Sequence, residues 1–204
     1  QITFVAKPEV NAGDDDAVCA DELTYDLSAA TADHYSSLVW STTGDGSFSD
    51  ASTLNPTYTF TDAERATGSV TLTLTITPNA PCVDPLSSSV TITINPLPVP
   101  TVSGDAAICQ NETGTYTTES GMTDYQWYVD GALQAGATSA SFDYTWTDYG
   151  VPTVSVSYTD ANGCSAAAAT DFAVTVYDLP VSALPTTESS CTNGSVALVA
   201  TATG

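Results

Sequence analysis

Residues 69–77 read SVTLTLTIT, in which Val, Leu, Leu and Ile alternate with Ser and Thr. A period of two places every apolar side chain on one face of an extended chain, so this run predicts a half-buried strand. VPTVSVSYT (151–159) repeats the pattern, and SVTITIN (89–95) and FAVTVY (172–177) each close a similar stretch. Earlier strands are expected at LTYDLSA (23–29) and SLVWST (37–42), then at TGTYTTE (113–119) and DYQWYV (124–129). Val and Thr suit a pleated surface, and clusters of Gly, Pro, Asn and Asp mark the turns between these runs. No segment carries a sustained 3.6-residue apolar period. TDAERATG (61–68) predicts a single helical turn as a connector.

The pattern recurs at a fixed phase. QITFVAKPEVNAGDDDAVC (1–19), TITINPLPVPTVSGDAAIC (91–109) and AVTVYDLPVSALPTTESSC (173–191) each hold a proline eleven residues before a cysteine. Each also has apolar residues six and four positions before that proline: Ile2 and Phe4, Ile92 and Ile94, Val174 and Val176. Self-similarity of this kind marks a tandem array. Successive prolines are 90 and 82 residues apart, single-domain lengths for a β-sandwich. The expected organisation is 1–7 as the last strand of a preceding repeat or a linker, 8–97 as repeat 1 and 98–179 as repeat 2. Residues 180–204 would start a truncated repeat 3, so the chain is expected to be a slice of a longer array.

The five cysteines follow the same phase. Two fall in each full repeat, which predicts the disulfides Cys19–Cys82 and Cys109–Cys164, each closing its own domain. Cys191, the first cysteine of repeat 3, would stay unpaired within the chain. Paired thiols imply an oxidising, extracellular setting, and zinc-ligand CxxC spacing is absent.

Charge narrows the partners. Lys7 and Arg65 are the two basic residues against 24 acidic ones, for a net charge of −22. Nucleic-acid affinity needs clustered Lys and Arg, so nucleic acid is excluded and an anionic membrane surface is disfavoured. The 42% apolar content supplies a core that a disordered acidic tail would lack. No run of 18 apolar residues is present, so no membrane-inserting helix is expected in this segment. No leader-like apolar stretch opens the chain, and residue 1 is Gln, which fits a processed or excerpted sequence.

VWSTTGDGSFSD (39–50) and YTWTDYGVPTVSVSYTDANGC (144–164) resemble polycystic-kidney-disease (PKD) domains, in a Trp followed by Gly-Asp-Gly and in the closing strands. The flanking cysteines and the Leu-Pro linker resemble the PKD/Ig-like repeats of giant surface adhesins in gliding, type IX-secreting Bacteroidota. The second repeat departs from that pattern at WYVDGALQAG (127–136), which lacks Gly-Asp-Gly. The resemblance implies an all-β chain of tandem Ig-like/PKD-like antiparallel β-sandwich domains in an elongated array. It also implies export to the bacterial cell surface as a spacer or adhesive module.

Candidate chemistry is sparse. His34, the lone histidine, stands among turn residues and is expected to be an exposed loop side chain, not a general base. Carboxylate pairs are inevitable among 24 acidic residues, and none sits in an enzyme-like pattern, so no catalytic residue is expected. Asp14, Asp15 and Asp16, with Asp21 and Glu22 nearby, offer the hard oxygen donors that calcium takes. The other two junctions hold only Asp105 and Glu188, which favours a solvated charged loop and leaves calcium as the alternative. Asn111-Glu-Thr and Asn193-Gly-Ser match glycosylation sequons of little weight.

Two functional readings remain. In one, proline-linked sandwiches form a semi-rigid stalk or filament whose partners are neighbouring repeats, with copies able to self-associate. In the other, exposed aromatics grip a glycan or a protein; Trp146 and Tyr149 are the candidates, though a core or turn place is the favoured reading of both, while Trp40 and Trp127 are expected in the core.

Overall fold

A computed structural model of the chain describes residues 6–166 and 170–179, and the backbone of 181–182 and 202–203. Two compact units form, one from Gln1–Pro98 with Thr159–Ala167 and the other from Val99–Tyr158 with Ala168–Gly204.

The first unit begins with β1 (Glu9–Asn11), β2 (Asp16–Cys19), β3 (Thr24–Asp26), β4 (Thr31–Asp33) and β5 (Tyr35–Thr42). It continues through β6 (Ser47–Phe48), β7 (Thr57–Thr59), helix α1 (Asp62–Thr67), β8 (Ser69–Pro78) and β9 (Leu86–Asn95). One sheet has the order β2-β9-β8-β5 and faces a second of order β3-β7-β6, while β1 pairs with β4 at the side. The alternating run behaves as its period dictates. Val70, Leu72, Leu74 and Ile76 of β8 are fully or almost fully buried. Their Thr neighbours line the outer face, where the Thr73 and Thr75 hydroxyls pair with those of Ser89 and Ser87 at 2.9 and 2.8 Å. Tyr58 and Phe48 from the smaller sheet share one core with Trp40, Leu72, Val90 and Ile92 from the larger, which makes the unit a β-sandwich.

Helix α1 is the single turn expected at 61–68. Thr61 caps it, Glu64 reaches back to complete a capping box, and Gly68 ends it in a left-handed conformation, φ 88°.

The second unit holds β10 (Ser103–Gly104), β11 (Ala107–Cys109), β12 (Thr113–Thr117), β13 (Thr123–Val129) and β14 (Ala132–Leu133). After them come β15 (Ser141–Thr145), β16 (Thr153–Thr159), β17 (Phe172–Ala173), β18 (Thr175–Tyr177), β19 (Val181–Ser182) and β20 (Ala202–Thr203). Sheets β14-β13-β16-β17 and β10-β12-β15 enclose a core of Trp127, Tyr116, Phe142, Trp146, Val154 and Val156. The expected strand at 172–177 divides in two at Val174. Its first half pairs antiparallel with β16 and its second runs parallel to β11. Strands β19 and β20 pair antiparallel.

The two units share a local plan. In the first, β2 runs parallel to the closing strand β9, with Cys19 level with Asn95. In the second, β11 runs parallel to the closing strand β18, with Cys109 level with Tyr177. The architecture is all-β, built of mainly antiparallel sheets, as the pattern of the sequence predicts.

Candidate functional site

The cysteines correct the expected pairing. Cys19 bonds Cys164, with Cα atoms 5.5 Å apart and a sequence separation of 145, while Cys82 and Cys109 carry free thiols. The bonds Cys19–Cys82 and Cys109–Cys164 do not form, and the reason is the length of the sheets. Cys19 stands level with Asn95, the last residue of β9, whereas Cys82 lies in the connection that enters β9 at Leu86. Ten residues at about 3.3 Å each put roughly 30 Å between those ends, and a disulfide spans less than about 7 Å between Cα atoms. The other two cysteines show the same polarity. Cys109 stands level with Tyr177 near the end of the closing strand, and Cys164 lies in the hairpin at the far end of β16. That hairpin is held by Asp160, whose Oδ1 accepts from the Cys164 backbone N–H at 2.9 Å. Cys191 lies outside the described residues.

The acidic residues of the first junction do not converge. Asp14, Asp15, Asp16, Asp21 and Glu22 are all exposed. Asp15 accepts from the Thr91 backbone N–H at 2.7 Å, and Asp16 accepts from the Ala17 N–H and the Tyr25 hydroxyl, both at 2.8 Å. Burial, with the Asp16 carboxylate beside it, pushes the Tyr25 hydroxyl up to about 12. These aspartates therefore tie β2 to its neighbours. Among the described residues no three His, Cys, Asp or Glu side chains group as metal ligands. His34 is exposed, on backbone of φ 57°.

The two aromatic candidates part company. Trp146 is 3% exposed and belongs to the core, where its indole N–H donates to the Tyr116 hydroxyl at 2.9 Å. Its place as a ligand platform is thereby withdrawn: a buried indole needs a polar partner for its N–H, and Tyr116 is that partner. Tyr149 is 67% exposed and borders a cleft of about 300 Å³ lined also by Asp130, Tyr144, Asp148 and Pro152. Gly150 exchanges backbone hydrogen bonds with Val176, which sets Tyr149 beside Tyr177 on the outer side of the same edge. Tyr149, Val151 and Tyr177 are exposed there, and the free Cys109 thiol stands in register with Tyr177.

Two carboxylates escaped the sequence reading. Glu64 is 4% exposed. Its Oε1 accepts from the Tyr58 hydroxyl at 2.5 Å and from the Gly46 N–H at 3.2 Å, while Oε2 accepts from the Thr61 N–H at 2.8 Å. Burial pushes this carboxyl up, but the Tyr58, Thr61 and Gly46 donors outweigh it and leave it below the usual range. Glu119 is handled alike in the second unit. Burial raises it, and the Thr101 and Thr118 hydroxyls with the Thr101 N–H outweigh burial and hold it at about 2. The signal that could have found Glu64 is its position three residues after Thr61, at a capping-box spacing.

No family model and no curated protein matches this sequence. Among solved structures, the chain is similar to the PKD domain from KIAA 1837 protein at 17% identity, over 46% of this chain and 93% of that one, TM-score 0.34. It is similar to protocadherin gamma B2 extracellular cadherin domains 3–6 at 14% identity, over 87% of this chain and 49% of that one, TM-score 0.41. The tandem Ig repeats of Dlar align at 14% identity over 84% of this chain and 98% of theirs, TM-score 0.32.

Proposed function

We propose that this chain is a non-enzymatic structural segment of a secreted, cell-surface protein, in which β-sandwich repeats joined by disulfides form a stalk that carries adhesive regions. The Cys19–Cys164 bond carries this reading, because a disulfide across a sequence separation of 145 needs an oxidising compartment to form and persist. The net charge of −22 supports it further: like charges along an array discourage lateral collapse and aggregation. Among the described residues no helix is long and apolar enough to cross a membrane. The finer assignment, to the adhesins of gliding, type IX-secreting Bacteroidota, rests on the sequence resemblance. So do neighbouring repeats as partners and filament formation between copies.

The test is the compartment. Intact cells making the whole protein are treated with a membrane-impermeant protease, and the released fragments are mapped without reduction. Release from outside the cell with Cys19 bonded to Cys164 is the expected result; an intracellular protein with reduced cysteines would sink the reading.

The exposed Tyr149 and its cleft support a second reading, a glycan- or protein-binding module. Stacking on a sugar needs an accessible ring, and Tyr149 supplies one. A glycan array probed with the chain and with Tyr149→Ala decides it: hits that vanish in the variant favour binding, and an empty array removes it.

A further inference from the structure

Each repeat carries two cysteines, and they sit at opposite ends of its sandwich. The strand-end cysteines are Cys19 and Cys109, each the last residue of a strand lying parallel to the end of the closing strand. The hairpin cysteines are Cys82 and Cys164, each in the connection that follows the long strand β8 or β16. With roughly 30 Å between the two ends, no repeat can close its own pair. The bond that does form joins the strand-end cysteine of repeat 1 to the hairpin cysteine of repeat 2. One cysteine of each kind is left: Cys82, a hairpin cysteine in repeat 1, and Cys109, a strand-end cysteine in repeat 2.

We propose that Cys82 and Cys109 are the open ends of a disulfide ladder. Cys109 bonds the hairpin cysteine of a following β-sandwich repeat of this type, and Cys82 bonds the strand-end cysteine of a preceding one. This inference rests on the tandem-repeat reading above and deepens it by naming the partner. Two further observations fit. Cys109 is exposed, as a thiol awaiting a partner must be, and it stands in register with Tyr177, which is 57% exposed. Such apolar surface at the thiol suits a packed neighbour better than bulk water. At the matching place in repeat 1, Cys19 is half-buried and already bonded.

Each new bond forms by thiol–disulfide exchange. The Cys109 thiolate attacks a small disulfide oxidant such as oxidised glutathione, releasing one glutathione thiol and leaving a mixed disulfide. The hairpin cysteine's thiolate then attacks the Cys109 sulfur and expels the second. Two protein thiols and one oxidant disulfide become one protein disulfide and two small thiols.

Because the described residues hold one free cysteine of each kind, a second copy can stand in for the next repeat. Cys109 of one copy would then bond Cys82 of another, head to tail. The full chain carrying Cys191→Ser, as a mixture of isotope-labelled and unlabelled protein, is equilibrated in a glutathione redox buffer. Protein near the millimolar effective concentration of a short linker is used, and non-reducing peptides are read by mass spectrometry. Random intermolecular pairing would make mixed and like-with-like links equal in number. The expected result is an excess of Cys109–Cys82 links between copies of about tenfold, with Cys19–Cys164 intact in every copy. Equal numbers, an intramolecular Cys82–Cys109 bond, or glutathione caps with no links between copies would each overturn the ladder. Loss of Cys19–Cys164 itself would instead strike the disulfide-joined stalk proposed above, on which the ladder rests.

Discussion

The Tyr58 hydroxyl donates to Glu64 Oε1 at 2.5 Å, and that contact is what the Gly-Asp-Gly stretch is shaped around. A Cβ on Gly44 would stand 1.8 Å from Glu64 Oε1, and one on Gly46 would stand 2.4 Å from the Tyr58 hydroxyl and 2.5 Å from the Thr59 carbonyl. Both glycines are there for close approach. Removing the carboxylate leaves the Tyr58 hydroxyl and the Gly46 and Thr61 N–H groups without their acceptor in a buried place. Glu64→Ala is therefore expected to cost about 3 kcal/mol, and Gly46→Ala a similar amount, because the Thr59 carbonyl it strikes is backbone and cannot swing away. Urea unfolding of each variant checks this, with the midpoint falling at an unchanged slope.

Buried Glu64 and half-buried Glu119 set the acid limit of the fold. Glu119 is held at about 2 against its usual 4.5, and Glu64 is also depressed. A carboxyl with a lower value in the folded state adds stability that is complete above the unfolded value and is lost as pH falls through the folded one. The thermal midpoint is thus expected to hold steady from neutral pH down to about 5 and to fall between about 4.5 and 2 as these groups protonate. Glu119→Gln should flatten part of that decline while lowering the midpoint at pH 7. A decline of equal steepness in the variant would assign the acid limb to other groups.

The strands were legible because their alternation is strict. SVTLTLTIT buries every apolar residue and turns its hydroxyls outward, and Trp40 and Trp127 sit in the two cores as their strand positions imply. The helical turn at 61–68 was expected as a connector, while the Thr-x-x-Glu cap that fixes it went unread. What else escaped depends on contacts distant in sequence. Alternation says which face of a strand is buried but not which connections lie at the same end of a sheet. The pairing of Cys19 with Cys164 instead of Cys82 could not be read from spacing, since the deciding quantity is the length of β9. Trp146 was ambiguous for a related reason. It follows a strand in which Phe142 is buried and the other residues are exposed or half-buried, and its own burial is fixed by Tyr116, thirty residues earlier.

Trp146 and Tyr149 should respond oppositely to truncation. Trp146→Ala removes a buried indole and the donor to Tyr116, and is expected to cost about 3–5 kcal/mol. Tyr149→Ala removes a ring that is mostly in water and is expected to stay within about 0.5 kcal/mol of the parent. Paired denaturant melts, with near-ultraviolet circular dichroism for aromatic packing, distinguish the two. A large loss at Tyr149 would mean that its ring is docked more tightly than its 67% exposure implies.

The Cys19–Cys164 bond should govern how the chain carries load. Force entering before Cys19 and leaving after Cys164 crosses one sulfur–sulfur bond and bypasses the span between them, a sequence separation of 145. A chain tethered near residues 6 and 179 and pulled under oxidising conditions should therefore release only the short flanking segments. After reduction the same span becomes extensible and adds about 500 Å of contour, at roughly 3.5 Å per residue. Equilibrium stability should fall as well. Opening a loop of that size removes about 5 kcal/mol in the chain-entropy model, so Cys19→Ser should melt well below the parent and become insensitive to reductant. Single-molecule traces with and without reductant supply the sharper check, because contour length counts residues directly. An oxidised chain that releases the full length would show that the load does not cross the disulfide, and the chain would then resist force only through the strength of its sheets.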